Sequence, residues 1–159
     1  MNYYIDTEFH EGFYKAFMKS NRHFIDLISI GIVSEDGRKY YAISKEFDIY
    51  AAWNKWQQRT GEGDRNSIEP KVYWLRDNVL KPIYSELFLQ EVNSVIDSTG
   101  KVPNIKFDFT YDNFKKLIKK YGKTNKQIAE EIKEFIDLQK VSASYKGENP
   151  KFYGCYIRL

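Results

Sequence analysis

One cysteine, two histidines and four prolines are all that 159 residues hold of the types that crosslink, ligate soft metals or break elements. The single Cys155 excludes an internal disulfide framework and a multi-cysteine zinc site, and it fits a reducing compartment. No apolar run approaches the ~20 residues of a membrane span, and no charged-then-apolar leader opens the chain. A soluble, cytoplasmic protein with no membrane partner is expected. An excess of one charge sign is lacking as well: the net charge of +3 permits an anionic partner without indicating one. Aromatic residues, by contrast, are plentiful, with 13 Tyr, 11 Phe and 3 Trp. The length suits a single domain spanning residues 1–159.

The chain opens "MNYYIDTEFHEG", in which Tyr3, Tyr4 and Ile5 suit a first strand that stops on Asp6 and Glu8. An irregular stretch is expected from His10 to Arg22. "FIDLISIGIV" (Phe24–Val33) reads as a buried strand, Asp36-Gly37 as a hairpin turn, and "YYAISKEF" (Tyr40–Phe47) as a returning third strand. The pattern predicts an antiparallel meander. A helical middle follows at 48–98, with Asp48 as a cap, a break at "RTGEGDRNS", a restart near Pro70 and a loop at "DSTGKVPN". Thr110 caps "YDNFKKLIKKY" and Gly122 stops it. Thr124 and Gln127 form a capping box before the amphipathic set Ile128, Ile132, Phe135 and Ile136. Lys151–Tyr156 reads as a last strand, and the long helical connection lets it run parallel to an earlier one. The fold class is therefore α/β with a mixed sheet.

Side chains at i and i+2 of a strand share a face, so Asp6 and Glu8 point one way and Thr7 the other. At a strand's end the pair would project toward a ligand crevice, and its mutual repulsion calls for a cation. Magnesium suits carboxylate oxygens and accepts phosphate oxygens and waters as further ligands. Solvated surface acids would show the same spacing. The lysines of "NFKKLIKKYGKTNK" fit a phosphate footprint, but better the solvated face of an amphipathic helix. Trp53, Trp56 and Trp74 could stack bases, but their helical spacing favours core or dimer contacts. Phe9, which directly follows the acids, is the aromatic most suspected of touching a nucleotide. His10 and His23 fall in the irregular stretch as solvated loop side chains.

"YYIDTEF" followed by "DLISIGIVSEDGRKYYAISKEFD" resembles the DEDD superfamily of 3′-5′ exonucleases. The closest resemblance within it is to the bacterial exoribonuclease family typified by the mycobacterial adenylate-specific RNase. The likeness continues in "WLRDNVL", "TNKQIAEEIKEFI" and "PKFYGCY". It implies a ribonuclease-H-like mixed sheet with a central first strand and a parallel fourth strand beside it. It also implies magnesium-dependent (or manganese-dependent) hydrolysis at the 3′ ends of RNA or single-stranded nucleic acid. Asp6 and Glu8 would be catalytic metal ligands, and Thr7, Phe9, Asp26 and Ser29 would lie against the substrate.

The chain departs from the family pattern after "YGCY". Family members carry a third acid just past the fourth strand and a fourth acid on a final helix, near a histidine or tyrosine base. Here Ile157, Arg158 and Leu159 follow instead. A C-terminally shortened or frameshifted product is the expectation, lacking the final strand and helices. Its open sheet edge and uncovered apolar faces predict a homodimer. A catalytically inactive nucleic-acid-binding module of the same fold is the alternative.

Overall fold

The computed structural model describes residues 1–14, 22–58, 71–136 and 151–155. The chain divides into two compact units, one formed by Met1–Phe47 with Gly122–Leu159 and the other by Asp48–Tyr121.

The first unit is built on a four-stranded sheet. β1 (Asn2–Tyr14) pairs antiparallel with β2 (Arg22–Ser34), which pairs antiparallel with β3 (Lys39–Ile43). β6 (Lys151–Cys155) lies on the other side of β1 and runs parallel to it, giving the order β3-β2-β1-β6. The expected meander and parallel last strand are both present, with β1 inside the sheet. The fold is mixed α/β.

The turn between β2 and β3 uses Gly37 at φ 84°, the left-handed region that glycine enters without a Cβ penalty. One sheet face carries Tyr3 and Ile32, both almost fully buried with Met1, and Ile5, Ile30 and Tyr40 pack around them. α4 (Asn125–Ile136) covers this face with Ile132, Phe135 and Ile136, on the spacing read from the sequence. Full burial of such a side chain contributes about 1.5–3 kcal/mol, and these partly buried ones contribute a share of it. The capping box forms as expected: Gln127 N–H donates to Thr124 Oγ1 at 3.1 Å, and Thr124 N–H donates to Gln127 Oε1 at 2.9 Å. Ser44 Oγ donates to Asn125 Oδ1 at 2.8 Å, and Tyr40 Oη to Glu131 Oε2 at 2.9 Å, which ties the helix to β3 and its continuation.

The irregular stretch expected at His10–Arg22 is a correction. β1 continues to Tyr14, β2 already begins at Arg22, and the two pair as a long ribbon as far as Tyr14↔Arg22. The third strand is shorter than expected and ends at Ile43.

The second unit is helical. Asp48 caps α1 (Ile49–Asn54) by accepting from Ala51 N–H at 2.9 Å. Gln57–Gln58 (β4) and Lys71–Val72 (β5) form a minimal ladder. The segment around the expected break, 59–70, lies outside the described residues. Arg76–Leu80 then takes π-helical form and runs into α2 (Lys81–Thr99), with Pro82 in its first turn, where a missing N–H costs nothing. Gly100 closes α2 at φ 65°, three residues into the expected loop. α3 (Tyr111–Tyr121) follows Thr110, whose Oγ1 accepts from Asn113 N–H at 3.4 Å, and buries Phe114, Leu117 and Ile118.

Candidate functional site

β1 sets the geometry. Its alternation puts Tyr3, Ile5, Thr7 and Phe9 on the face toward α4 and its extension, and Tyr4, Asp6, Glu8 and His10 on the opposite face. The register of β2 confirms the division, because directly paired residues share a face. Asp6 pairs with Gly31 and Glu8 with Ser29, while Thr7 pairs with Ile30. The ladder then slips between Glu8 and Phe9, so that Ile28 is an extra residue on β2. Phe9 pairs with Leu27, and His10 with Asp26.

Asp6 and Glu8 therefore share a face, as the two-residue period requires, but they do not end the strand. Six further residues of β1 follow Glu8, and the bulge directly after Glu8 takes the place of the expected strand terminus. Their side chains rise about 6.6 Å apart along the strand. Asp6 is exposed and Glu8 half-buried. Burial first, and the neighbouring Asp6 carboxylate second, push the Glu8 pKa above the usual carboxylate range. A divalent cation beside the pair would offset both the burial cost and the repulsion between the two carboxylates.

Ser29 is buried beside Glu8, and Asp26 lies half-buried on the same face beyond the bulge. Thr7 and Phe9 project from the other face, away from the acid pair. The structure thus brings four of the six expected residues to one face and separates two.

His10 is the residue that sequence reasoning misplaced. It is a strand residue on the acids' own face, two positions past Glu8, buried, with its ring set edge-on to Phe24 at 5.3 Å. Period-two counting from Asp6 would have found it, had the strand been carried through "HEG". His23 is paired opposite Phe13 on the ribbon's other face, 3.8 Å from Glu11 through Nε2 and Oε2.

A concavity of about 530 Å³ opens on the acids' face, lined among others by Tyr4, Asp6, Gly31, Val33, Tyr41 and Tyr153. Tyr4 and Tyr153 stack across the parallel junction at 5.6 Å. The oxygen donors of Asp6 and Glu8 fit magnesium, which commonly takes one or two protein carboxylates and fills its remaining positions with water and phosphate. Among the described residues, no group of three or more His, Cys, Asp or Glu side chains is placed to hold an ion. Arg158 lies outside the described residues, as does the side chain of Cys155. No helix among the described residues is long and apolar enough to cross a membrane.

No family model matches the chain. Over 72 residues, 45% of its length, the chain is 43% identical to proteins named 3′-5′ exoribonuclease in two strains of Mycobacterium tuberculosis. The matched stretch is 33% of each of those proteins, so the chain spans about a third of the length of the curated relatives it matches.

Proposed function

We propose that this chain belongs to a DEDD-type 3′-5′ exoribonuclease of ribonuclease-H-like fold, and that it hydrolyses phosphodiester bonds at RNA 3′ ends with Asp6 and Glu8 as metal ligands. The observation that carries the reading is the placement of the two acids. They stand on one face of a strand held between an antiparallel and a parallel neighbour, and burial and then the Asp6 carboxylate raise the Glu8 pKa. The likeness to proteins named exoribonuclease supplies the substrate class.

A bound magnesium or manganese ion would supply Lewis-acid polarisation of the phosphate and an activated water. Asp6 and Glu8 would hold that ion. Gly31, opposite Asp6, keeps the strand face low beside the carboxylate, and the buried Ser29 hydroxyl lies across from Glu8. Asp26, beyond the bulge on the same face, would border the nucleotide.

The test is release of mononucleotides from the 3′ end of labelled single-stranded RNA with and without magnesium. Metal-dependent release that Asp6→Ala abolishes supports the reading; release that survives Asp6→Ala and Glu8→Ala together overturns it. One observation favours a second reading, a non-catalytic nucleic-acid-binding module of the same fold. Among the described residues, no third acid or histidine joins the pair in a metal-ligand group. RNA binding with no metal-dependent release would select it.

A further inference from the structure

We infer that the Asp48–Tyr121 unit carries its own binding surface for single-stranded nucleic acid, made of aromatic rings and cations contributed by three separate segments. α1 supplies Tyr50 and Trp53, α3 supplies Tyr111 and Lys115, and Tyr73 stands just ahead of the π-turn whose first residue is Arg76. That the partner is RNA in particular rests on the exoribonuclease reading; the surface itself does not.

The six side chains form one connected array. Arg76 places its guanidinium carbon 4.0 Å from the centre of the Tyr73 ring and 5.8 Å from that of Trp53. Trp53 meets Tyr111 edge-on at 5.7 Å, and Tyr111 in turn meets Tyr50 edge-on at 6.1 Å. Lys115 Nζ stands 5.5 Å from the Tyr111 ring centre. Three cation–ring contacts, over Tyr73, Trp53 and Tyr111, thus fall within one patch of side chains.

A purely structural role would bury these rings and leave the cations in water. Phe114, in contact with Trp53 at 5.8 Å, behaves that way and is fully buried. The array does not. Tyr50 is 67% exposed, and Trp53, Tyr73, Arg76, Tyr111 and Lys115 all remain partly open.

Single-stranded nucleic acid matches this mixture because it repeats a flat π-face and an anion at every nucleotide. Bases stack on tyrosine and on a guanidinium plane, while ammonium and guanidinium charges meet the phosphates. An acidic peptide would engage the cations and leave the rings unused. A duplex hides its base faces. Stacking of this kind discriminates little between bases, and little between ribose and deoxyribose.

The experiment uses the full chain in EDTA, so that no metal-dependent cleavage can occur, with a fluorescein-labelled single-stranded RNA of about ten nucleotides read by anisotropy. Tyr50→Ala is expected to weaken binding about tenfold. Arg76→Lys keeps the charge but loses the planar face, and a several-fold loss is expected. Lys115→Ala is expected to flatten the salt dependence of the dissociation constant by about one phosphate contact. Leu89→Ala, at an exposed position of α2 outside the array, leaves binding unchanged.

Single-stranded DNA should compete nearly as well as RNA, and duplex RNA poorly. The inference is overturned if the chain does not bind the strand. It is equally overturned if Tyr50→Ala and Arg76→Lys both stay within about twofold of the parent while Lys115→Ala alone weakens binding, since that marks a merely cationic surface. Because Tyr50 is so exposed, Tyr50→Ala is expected to fold, which circular dichroism checks. Binding without metal-dependent release sinks the exoribonuclease reading alone. Release with binding that ignores Tyr50 and Arg76 sinks this inference alone.

Discussion

Gly31 stands directly across the ladder from Asp6, so nothing larger than a hydrogen rises beside that carboxylate on β2. A Cβ there would lie 3.8 Å from the Tyr41 ring and 4.0 Å from the Asp6 carbonyl oxygen, which is ordinary contact. Gly31→Ala is therefore expected to fold, and to be more stable by up to about 1 kcal/mol through the lost chain entropy of glycine. Gly31→Leu would instead place a branched side chain beside the Asp6 carboxylate. We expect urea denaturation to show a folded protein, and calorimetry to show weakened magnesium binding. Unchanged metal affinity in Gly31→Leu would show that the space beside Asp6 is not used.

The acid pair predicts opposite signs for stability and activity. The Glu8 pKa is raised, by burial and then by Asp6, so folding disfavours its charged form. The stability linked to its proton is present at low pH and lost as pH rises through the raised pKa. Glu8→Gln should accordingly raise the melting temperature at neutral pH while reducing nucleotide release by about 100-fold or more, a loss of about 3 kcal/mol at the transition state. Magnesium at tenfold its dissociation constant should stabilise the parent by about 1.4 kcal/mol and leave Glu8→Gln unmoved. A fall in melting temperature on Glu8→Gln would mean that the carboxylate is a structural anchor instead.

Gly12 on the ribbon is constrained in a different way. A Cβ there would come within 2.9 Å of two atoms of the Phe24 ring, which also packs on His10. Gly12→Ala is expected to destabilise the protein by about 1–3 kcal/mol, read by urea denaturation. Adding Phe24→Leu, which removes the ring, should restore part of that loss. If the double variant is as unstable as the sum of the two singles, the clash is not the cause.

The ribbon also shows where sequence reasoning loses its grip. Period two placed Asp6 and Glu8 on one face and Thr7 on the other, and turn and cap chemistry located Gly37, Asp48 and the Thr124–Gln127 box. Those signals are local. The continuation of β1 through "HEGFY" is not, since His10, Glu11 and Gly12 carry weak strand preference and are held there by pairing with β2. The extra residue Ile28 lies between Asp26 and Ser29, two polar residues three positions apart on one face, and that odd spacing is the one sequence sign of the bulge. The ring–cation array across α1 and α3 also depends on residues far apart in the chain.

The turn that closes β2 onto β3 carries the clearest acid sensitivity. Ser34 Oγ and the Arg38 side chain both donate to Asp36, the latter through Nε at 2.7 Å, and Arg38 N–H adds a longer bond at 3.3 Å. These donors pull the Asp36 pKa from its usual 3.8 to about 2, with the Ser34 bond the largest cause and the Arg38 side-chain bond next. Arg38 also reaches α4, donating from a terminal guanidinium nitrogen to the Phe135 carbonyl at 2.9 Å and lying over the Phe135 ring at 5.0 Å. The folded-state pKa is depressed, so the contribution is complete above the unfolded value and is lost as pH falls from about 4 to about 2. Asp36→Asn should therefore be less stable than the parent at neutral pH and converge with it below about pH 2. Chemical denaturation across that interval measures the difference directly. Parallel stability curves for the two proteins down to the acid limit would show that the turn's hydrogen bonds, and not the charge on Asp36, hold Arg38 against the helix.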